Sequence, residues 1–182
     1  MQTGLIRTTQ VTPTEAALLG LLSREPTSGY DLEKAVRASV GYFWSPARSQ
    51  IYAVLPRLVE AGLATRRSIT QRDRPNKHVY RITAGGRSAL KAWLDTPGPD
   101  AGGRDEFLLK VFFGGLAGPG AVVAHIRNRR HEAERLKAEL EEIDARVGAA
   151  GDVHAALTRS YGIAWANAVI GWATTAEQEL GS

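Results

Sequence analysis

Ser45-Pro-Ala-Arg-Ser-Gln-Ile-Tyr-Ala-Val-Leu-Pro-Arg-Leu-Val-Glu-Ala-Gly-Leu63 is the stretch from which the rest of the chain is placed. Ser45 followed by Pro46 predicts a helix start, a capping side chain and then proline at the first helical position. Ile51, Leu55 and Leu58 mark one buried face, and Gly62 ends the helix. After Gly62 the period changes. Leu63 to Thr70 and His78 to Thr83 read as two strands, with Tyr80 and Ile82 pointing one way and Val79 and Arg81 the other. Between them Gln71-Arg-Asp-Arg-Pro-Asn-Lys77 forms a polar, charged tip, so the pair is a hairpin.

Working back from Ser45, a helix begins at Ser28 with Asp31 in its first turn, buries Leu32, Ala35, Val36 and Ser39, and stops at Gly41. An earlier helix starts with Thr12, Pro13 and Glu15, a capping box, and runs to about Ser23. Beyond the hairpin, Thr83 caps a fourth helix with Leu90, Trp93 and Leu94 as its apolar positions. Three helices, a hairpin and a helix, with a short glycine-containing turn before the third helix, make a winged helix-turn-helix over residues 1–95. Asp95-Thr-Pro-Gly-Pro-Asp-Ala-Gly-Gly103 predicts a linker, placed at 96–105. Further breaks fall at Gly114-Gly-Leu-Ala-Gly-Pro-Gly120 and Gly148-Ala-Ala-Gly-Asp152. The expected architecture is mainly α with a small β-hairpin, the winged domain being followed by an α-helical dimerisation domain at 106–182.

Composition bounds what such a chain can do. At 182 residues, 43% hydrophobic and 23% charged, it has the make-up of a soluble globular protein. It contains no run of about 18 apolar residues, so no transmembrane helix is expected. The N-terminus, with Arg7 and no apolar core, does not read as a signal peptide, and a cytoplasmic location is expected. The absence of cysteine excludes disulfides, thiolate metal sites and cysteine nucleophiles. The net charge of +4 is unevenly spread: residues 1–95 carry +7 and residues 96–182 carry −3. One part of the chain is therefore suited to a polyanion.

With Ile51, Leu55 and Leu58 turned inward, Arg48, Ser49, Tyr52 and Arg57 face outward and Gln50 lies on the shoulder. A recognition helix needs such a set, because Gln and Arg pair with base edges in the major groove. Ser45 and the N–H groups behind it, at the start of that helix, suit a phosphate. A solvated helix face would look the same. The hairpin separates the two readings: residues 64–81 hold Arg66, Arg67, Arg72, Arg74, Lys77 and Arg81 against Asp73 alone, a net +5. A wing of that charge can lie along a phosphate backbone, with Arg72, Arg74 and Lys77 at its tip. Pro56, inside the third helix, either bends it or leaves the Tyr52 carbonyl without its helical partner.

These segments resemble the PadR family of transcriptional regulators. The likeness is carried by Ala17-Leu-Leu-Gly-Leu-Leu22, Ser28-Gly-Tyr-Asp-Leu32, Gly41-Tyr-Phe-Trp44, Ser49-Gln-Ile-Tyr52, Leu58-Val-Glu-Ala-Gly-Leu63, Val79-Tyr-Arg-Ile-Thr83 and Gly86-Arg-Ser-Ala-Leu90. Arg104-Asp-Glu-Phe-Leu-Leu-Lys-Val-Phe-Phe113 resembles the opening of the C-terminal helical domain of the longer subfamily. The resemblance implies that Ser28 and Tyr30 approach phosphates, that Ser49, Gln50 and Tyr52 sit at the groove, and that residues 71–77 are the wing. It also implies a homodimer on a roughly palindromic double-stranded DNA operator, and a repressor released by a small, often aromatic, molecule.

In the second half, Ile126, Ala133, Leu140 and Val147 recur every seven residues, with Leu136 and Ile143 between them and Arg129 interrupting the second row. This near-heptad predicts pairing with a second copy through Ile126, Ala133, Leu136, Leu140 and Ile143. Tyr161, Trp165, Ala168 and Trp172 form a stripe on the last helix, read as core or interface, with Trp165 and Trp172 in the dimer contact. An effector pocket is expected near Phe112, Phe113, Trp165 and Trp172, with Trp44 and Trp93 on its other side.

Enzyme chemistry has no support. His131-Glu132 lacks the second histidine of a zincin, Gly-x-Ser-x-Gly is absent, and the glycines at 114–120 form neither a P-loop nor a dinucleotide fingerprint. No cofactor and no metal is expected. The competing reading is a protein–protein adaptor working through the helical half, which leaves the basic hairpin unexplained.

Overall fold

A computed structural model of the chain describes residues 11–70, 77–98, 105–118, 120–147 and 152–181. The chain divides into two compact units, residues 1–99 and 100–182.

In the first unit, α1 (Pro13–Leu22) starts at the expected capping box: Thr12 Oγ1 accepts from the Glu15 N–H at 3.3 Å, and the Thr12 N–H donates to Glu15 Oε2 at 2.9 Å. Helix α1 is the centre of the unit, packed by α2, α3, α4 and a strand, so Leu18, Leu19 and Leu22 are fully buried. Each such side chain stabilises the fold by about 1.5–3 kcal/mol. A two-residue strand, β1 (Thr27–Ser28), leads directly into α2 (Gly29–Ser39), whose buried stripe is Leu32, Glu33 and Val36. Helix α3 (Arg48–Glu60) buries Ile51, Val54, Leu55 and Leu58.

The expected cap at Ser45-Pro46 is not used. Helix α3 begins at Arg48, with Ala47 in extended backbone as its N-cap and no capping side chain. Helix α3 runs unbroken through Pro56, which is exposed, as is Tyr52. Solvent can therefore reach the turn where the proline removes a helical hydrogen bond.

At its other end α3 closes in a paired-hydrogen-bond turn. The Leu63 N–H donates to the Leu58 carbonyl at 2.8 Å and the Gly62 N–H to the Val59 carbonyl at 3.0 Å. Gly62 has φ +70°, the conformation this turn demands. The chain then enters β2 (Ala64–Ile69), which pairs antiparallel with β3 (Lys77–Ile82) from Ala64 opposite Ile82 to Ile69 opposite Lys77. Tyr80 and Ile82 are buried and Arg81 is exposed, as the alternation predicts. The hairpin tip at 71–76, with Arg72 and Arg74, lies outside the described residues, and so does most of the expected linker.

Strand β3 is central in the order β1-β3-β2, because Thr27 and Ser28 add to its free edge opposite Tyr80 and Val79. Thr83 then caps α4 (Ala84–Asp95), accepting from the Gly86 N–H at 3.0 Å and donating to the Gly62 carbonyl at 2.7 Å. Gly86 is forced by that contact, since a Cβ there would stand 2.1 Å from the Leu63 carbonyl oxygen.

The second unit begins with the short helix α5 (Glu106–Phe112), capped by Asp105, and a 3-10 turn at Gly114–Leu116. Two long helices follow, α6 (Ala121–Val147) and α7 (Val153–Leu180), packed along each other. The heptad row is filled from within the chain. Ile126, Ala133 and Leu140 are buried in a single copy, packed along a helix whose own buried positions are Arg159, Gly162, Ala166 and Ala173. Within one chain these three residues, expected at a dimer contact, are spent on packing α6 against α7. Leu136 and Ile143 are half-buried and Val147 is exposed. Ion pairs tie the two helices at both ends: Arg130 Nε to Glu177 Oε1 at 2.8 Å, and Arg159 to Asp144. Among the described residues no helix is long and apolar enough to cross a membrane.

Candidate nucleic-acid interface

Helix α3 presents Arg48, Ser49, Gln50, Tyr52 and Arg57 on its exposed side, as its spacing predicts. Each longer side chain in this set is held by a neighbouring element. Arg48 Nε lies 3.2 Å from Glu33 Oε2 of α2, and its guanidinium stands over the Tyr52 ring, 5.6 Å from the centroid. Arg57 Nη2 donates to Glu15 Oε1 of α1 at 3.0 Å. Gln50 Nε2 makes a long contact, 3.4 Å, with Thr14 Oγ1. Tyr52 can lie against α2 because Gly29 has no side chain: a Cβ at Gly29 would approach the ring to 3.0 Å. The Ser28-Gly-Tyr and Gln-Ile-Tyr52 segments are thus one packing unit. Ser45 is exposed but caps nothing.

Ser28 does not face outward. It is 5% exposed, and its hydroxyl donates to Asp31 Oδ2 at 2.6 Å while accepting from the Asp31 N–H. The Ser28 hydroxyl, expected near a phosphate, is thus engaged as the cap of α2. Tyr30 is exposed, with Lys34 Nζ 4.7 Å from its ring centroid.

Lys77, at the start of β3, reaches Asp31 Oδ2 at 3.0 Å. The Ser28 hydroxyl first and Lys77 second hold the Asp31 carboxyl below its ordinary range. Burial pushes Glu15 upward, but its hydrogen bonds from Thr12 and the nearby Arg57 outweigh this and leave it lowered. The hairpin supplies a second group of cations. Arg66, Arg67 and Arg81 are exposed and have no ion-pair partner among the described residues. Arg67 and Arg81 belong to the face opposite Tyr80 and Ile82, while Arg66 is paired with Tyr80 across the ladder. The candidate surface therefore carries two kinds of positive charge, one neutralised by carboxylates and one open to solvent.

In the second unit, the predicted pocket residues fall into two groups. Phe112 and Phe113 are exposed and meet each other edge-to-face at 5.0 Å. Trp172 instead meets Phe107, at 5.7 Å, and Trp165 lies beneath Arg129, whose guanidinium also covers Phe107 and pairs with Asp105 at 3.0 Å. Sequence reasoning missed Asp105, Phe107 and Arg129. The interruption of the apolar row by Arg129 was the available signal. Trp44 and Trp93 remain more than a third exposed, so neither is a core residue of the first unit.

Two family models match the chain: the transcriptional regulator PadR-like family over residues 18–92, and the virulence activator alpha C-terminal domain over residues 103–181. Negative transcriptional regulator PadR of Bacillus subtilis is 38% identical over 99 residues, which are 53% of this chain and 54% of that protein. The match thus spans about half the length of this curated relative. Among solved structures, Bacillus subtilis PadR in complex with operator DNA superposes with TM-score 0.78 at 25% identity, over 91% of this chain and 98% of that one. The same protein has been solved with p-coumaric acid, a likeness at 23% identity that shows the fold. The Vibrio cholerae virulence activator AphA gives TM-score 0.74 at 30% identity, over 92% of this chain and 98% of that one. The chain belongs to the PadR-like family of transcriptional regulators, a family of winged-helix regulators rather than enzymes.

Proposed function

We propose that the chain binds operator DNA as a homodimer in the cytoplasm and represses transcription until a small aromatic effector relieves binding. Helix α3 enters the major groove with Arg48, Ser49, Gln50 and Tyr52 toward the bases and Arg57 toward the backbone. The hairpin, with Arg66, Arg67 and Arg81 and the tip residues Arg72, Arg74 and Lys77, follows the phosphates. The observation that carries this reading is the adjacency in one small unit of a polar helix face, its side chains held by neighbouring elements, and a hairpin whose Arg66, Arg67 and Arg81 have no ion-pair partner among the described residues.

Dimerisation is supported by the apolar surface of the second unit. Leu108, Leu109, Phe112, Phe113 and Leu116 are exposed, as are Val153, Leu157 and Tyr161, which recur every fourth residue along α7. Surface of that extent marks an interface. Leu136, Ile143, Trp165 and Trp172 keep enough surface to join it. A two-fold pair would present two copies of α3 to a palindromic site. The effector class is suggested by the Bacillus subtilis PadR complex with p-coumaric acid, and Phe112, Phe113, Trp165 and Trp172 are the aromatic residues proposed to receive it.

The test is a titration of labelled duplex from the region upstream of the protein's own coding sequence against random duplex of equal length, at low and high salt, with and without p-coumaric acid. Tight, selective and salt-sensitive binding is expected. Equal weak binding to both duplexes refutes operator recognition. An absence of binding at low salt refutes the DNA reading and returns the adaptor.

A further inference from the structure

Glu33 is set apart from the other carboxylates of the first unit by its burial. Its side chain is 9% exposed, on the inward stripe of α2 beside Leu32 and Val36. An ordinary surface ion pair within one helix needs no such burial, yet Arg37, its partner one turn on, donates to Oε1 at 2.7 Å from a side chain that is 72% exposed. The other oxygen, Oε2, is buried and has no hydrogen-bond donor among the described residues. What faces it is Arg48 Nε at 3.2 Å, close enough for charge attraction but not aligned as a hydrogen bond. A buried carboxylate oxygen left without a donor is costly, so its retention calls for a reason.

Arg48 supplies one. It is the first residue of α3 and is 66% exposed. Glu33 lies behind its Nε, the Tyr52 ring lies under its plane, and Tyr52 is itself seated against Gly29 of α2. With Glu33 at its Nε and Tyr52 under its plane, the guanidinium leaves its two terminal nitrogens without a hydrogen-bond partner among the described residues. That is the arrangement needed for bidentate contact with guanine O6 and N7. The same carboxylate, shared with Arg37, offsets part of the charge that Arg48 would otherwise offer to any phosphate.

We propose that Glu33 is a positioning residue for DNA sequence selection: it orients Arg48 for a base contact and suppresses that arginine's indiscriminate attraction to the backbone. The proposal rests on the DNA reading above. It adds a residue that touches no nucleic acid and sits on the helix preceding the recognition helix.

The experiment measures affinity of the full chain for two duplexes, one selected by the wild-type protein from a randomised pool and one scrambled from it. Glu33→Gln is expected to lower the ratio of the two affinities by about five- to tenfold, near the lower end of what one bidentate base contact supplies. It should weaken the selected duplex without weakening the scrambled one. In an Arg48→Ala background the same substitution should leave the ratio within about twofold, because the residue through which Glu33 acts is gone. A ratio unmoved by Glu33→Gln, or lowered equally in both backgrounds, overturns the proposal while leaving the DNA reading intact. A wild-type chain that binds neither duplex refutes the DNA reading itself. Should Glu33→Gln fail to fold, nitrogen relaxation at the arginine side chains of the unbound wild-type protein decides. The Arg48 Nε–H is expected to be more ordered than that of Arg66, and equal disorder overturns the proposal.

Discussion

Arg66, Arg67 and Arg81 differ from Arg48, Arg57 and Lys77 in one respect with a measurable consequence. The second group is already paired with Glu33, Glu15 and Asp31, whereas the hairpin arginines have no ion-pair partner among the described residues. A cation that must leave a surface carboxylate to reach a phosphate gives back up to about 1 kcal/mol of pairing; a solvated one gives back only its hydration. Each phosphate contact changes the slope of log affinity against log salt by about 0.9. Replacing the three hairpin arginines by alanine should therefore flatten the slope for random duplex by about 2.7 if all three touch phosphate. Between 50 and 200 mM salt, a fourfold rise, wild-type affinity should then fall roughly fortyfold more than that of the triple variant. Fluorescence anisotropy across that range measures it. A triple variant with the wild-type slope refutes the placement of the hairpin along the backbone, whatever its effect on absolute affinity.

Gly86→Ala places a methyl group 2.1 Å from a backbone oxygen that the α3–β2 turn holds in place, and should destabilise the first unit by about 3 kcal/mol or more, read from denaturant midpoints. Leu140→Ala removes a fully buried side chain between α6 and α7 and should cost about 2–5 kcal/mol in unfolding of the second unit; loss of dimer without loss of fold would restore the intermolecular heptad. Because folding lowers the Glu15 carboxyl below its ordinary value of 4.5, its contribution is complete above that pH and is lost as pH falls through the folded value. The stability gap between wild type and Glu15→Gln should therefore narrow from about pH 6 to about pH 3 in paired denaturation curves.

What could be read from the chain beforehand was local. Thr12, Ser28 and Thr83 each cap the next helix through a bond to a residue three positions on, so four residues contain the whole interaction. Ser45-Pro46 has the same signature and fails, because the start of α3 follows the chain's path out of α2 and not the nearest capping side chain. Strand β1 has two residues and no period of its own; it is a strand only because β3 offers an open edge. The seven-residue repeat of α6 was visible, but repetition says nothing about whose helix fills the groove, and α7 of the same chain does so. On the candidate surface, the outward residues of α3 followed from helix geometry. The carboxylates behind them did not, since Glu33 and Arg48, Glu15 and Arg57, and Asp31 and Lys77 are distant in the chain and meet only after folding.

The seam between the two long helices has an asymmetry with a mechanical side. Isoleucine and leucine on α6 pack along a helix whose buried positions are the small residues Gly162, Ala166 and Ala173 and, toward the start of α7, Arg159. One turn of slip is about 5.4 Å, and it would break Arg130 from Glu177 at one end and Arg159 from Asp144 at the other. The helix pair carries a marker of register at each end: the hydrophobic seam supplies cohesion, and the charged pairs favour one alignment over the next.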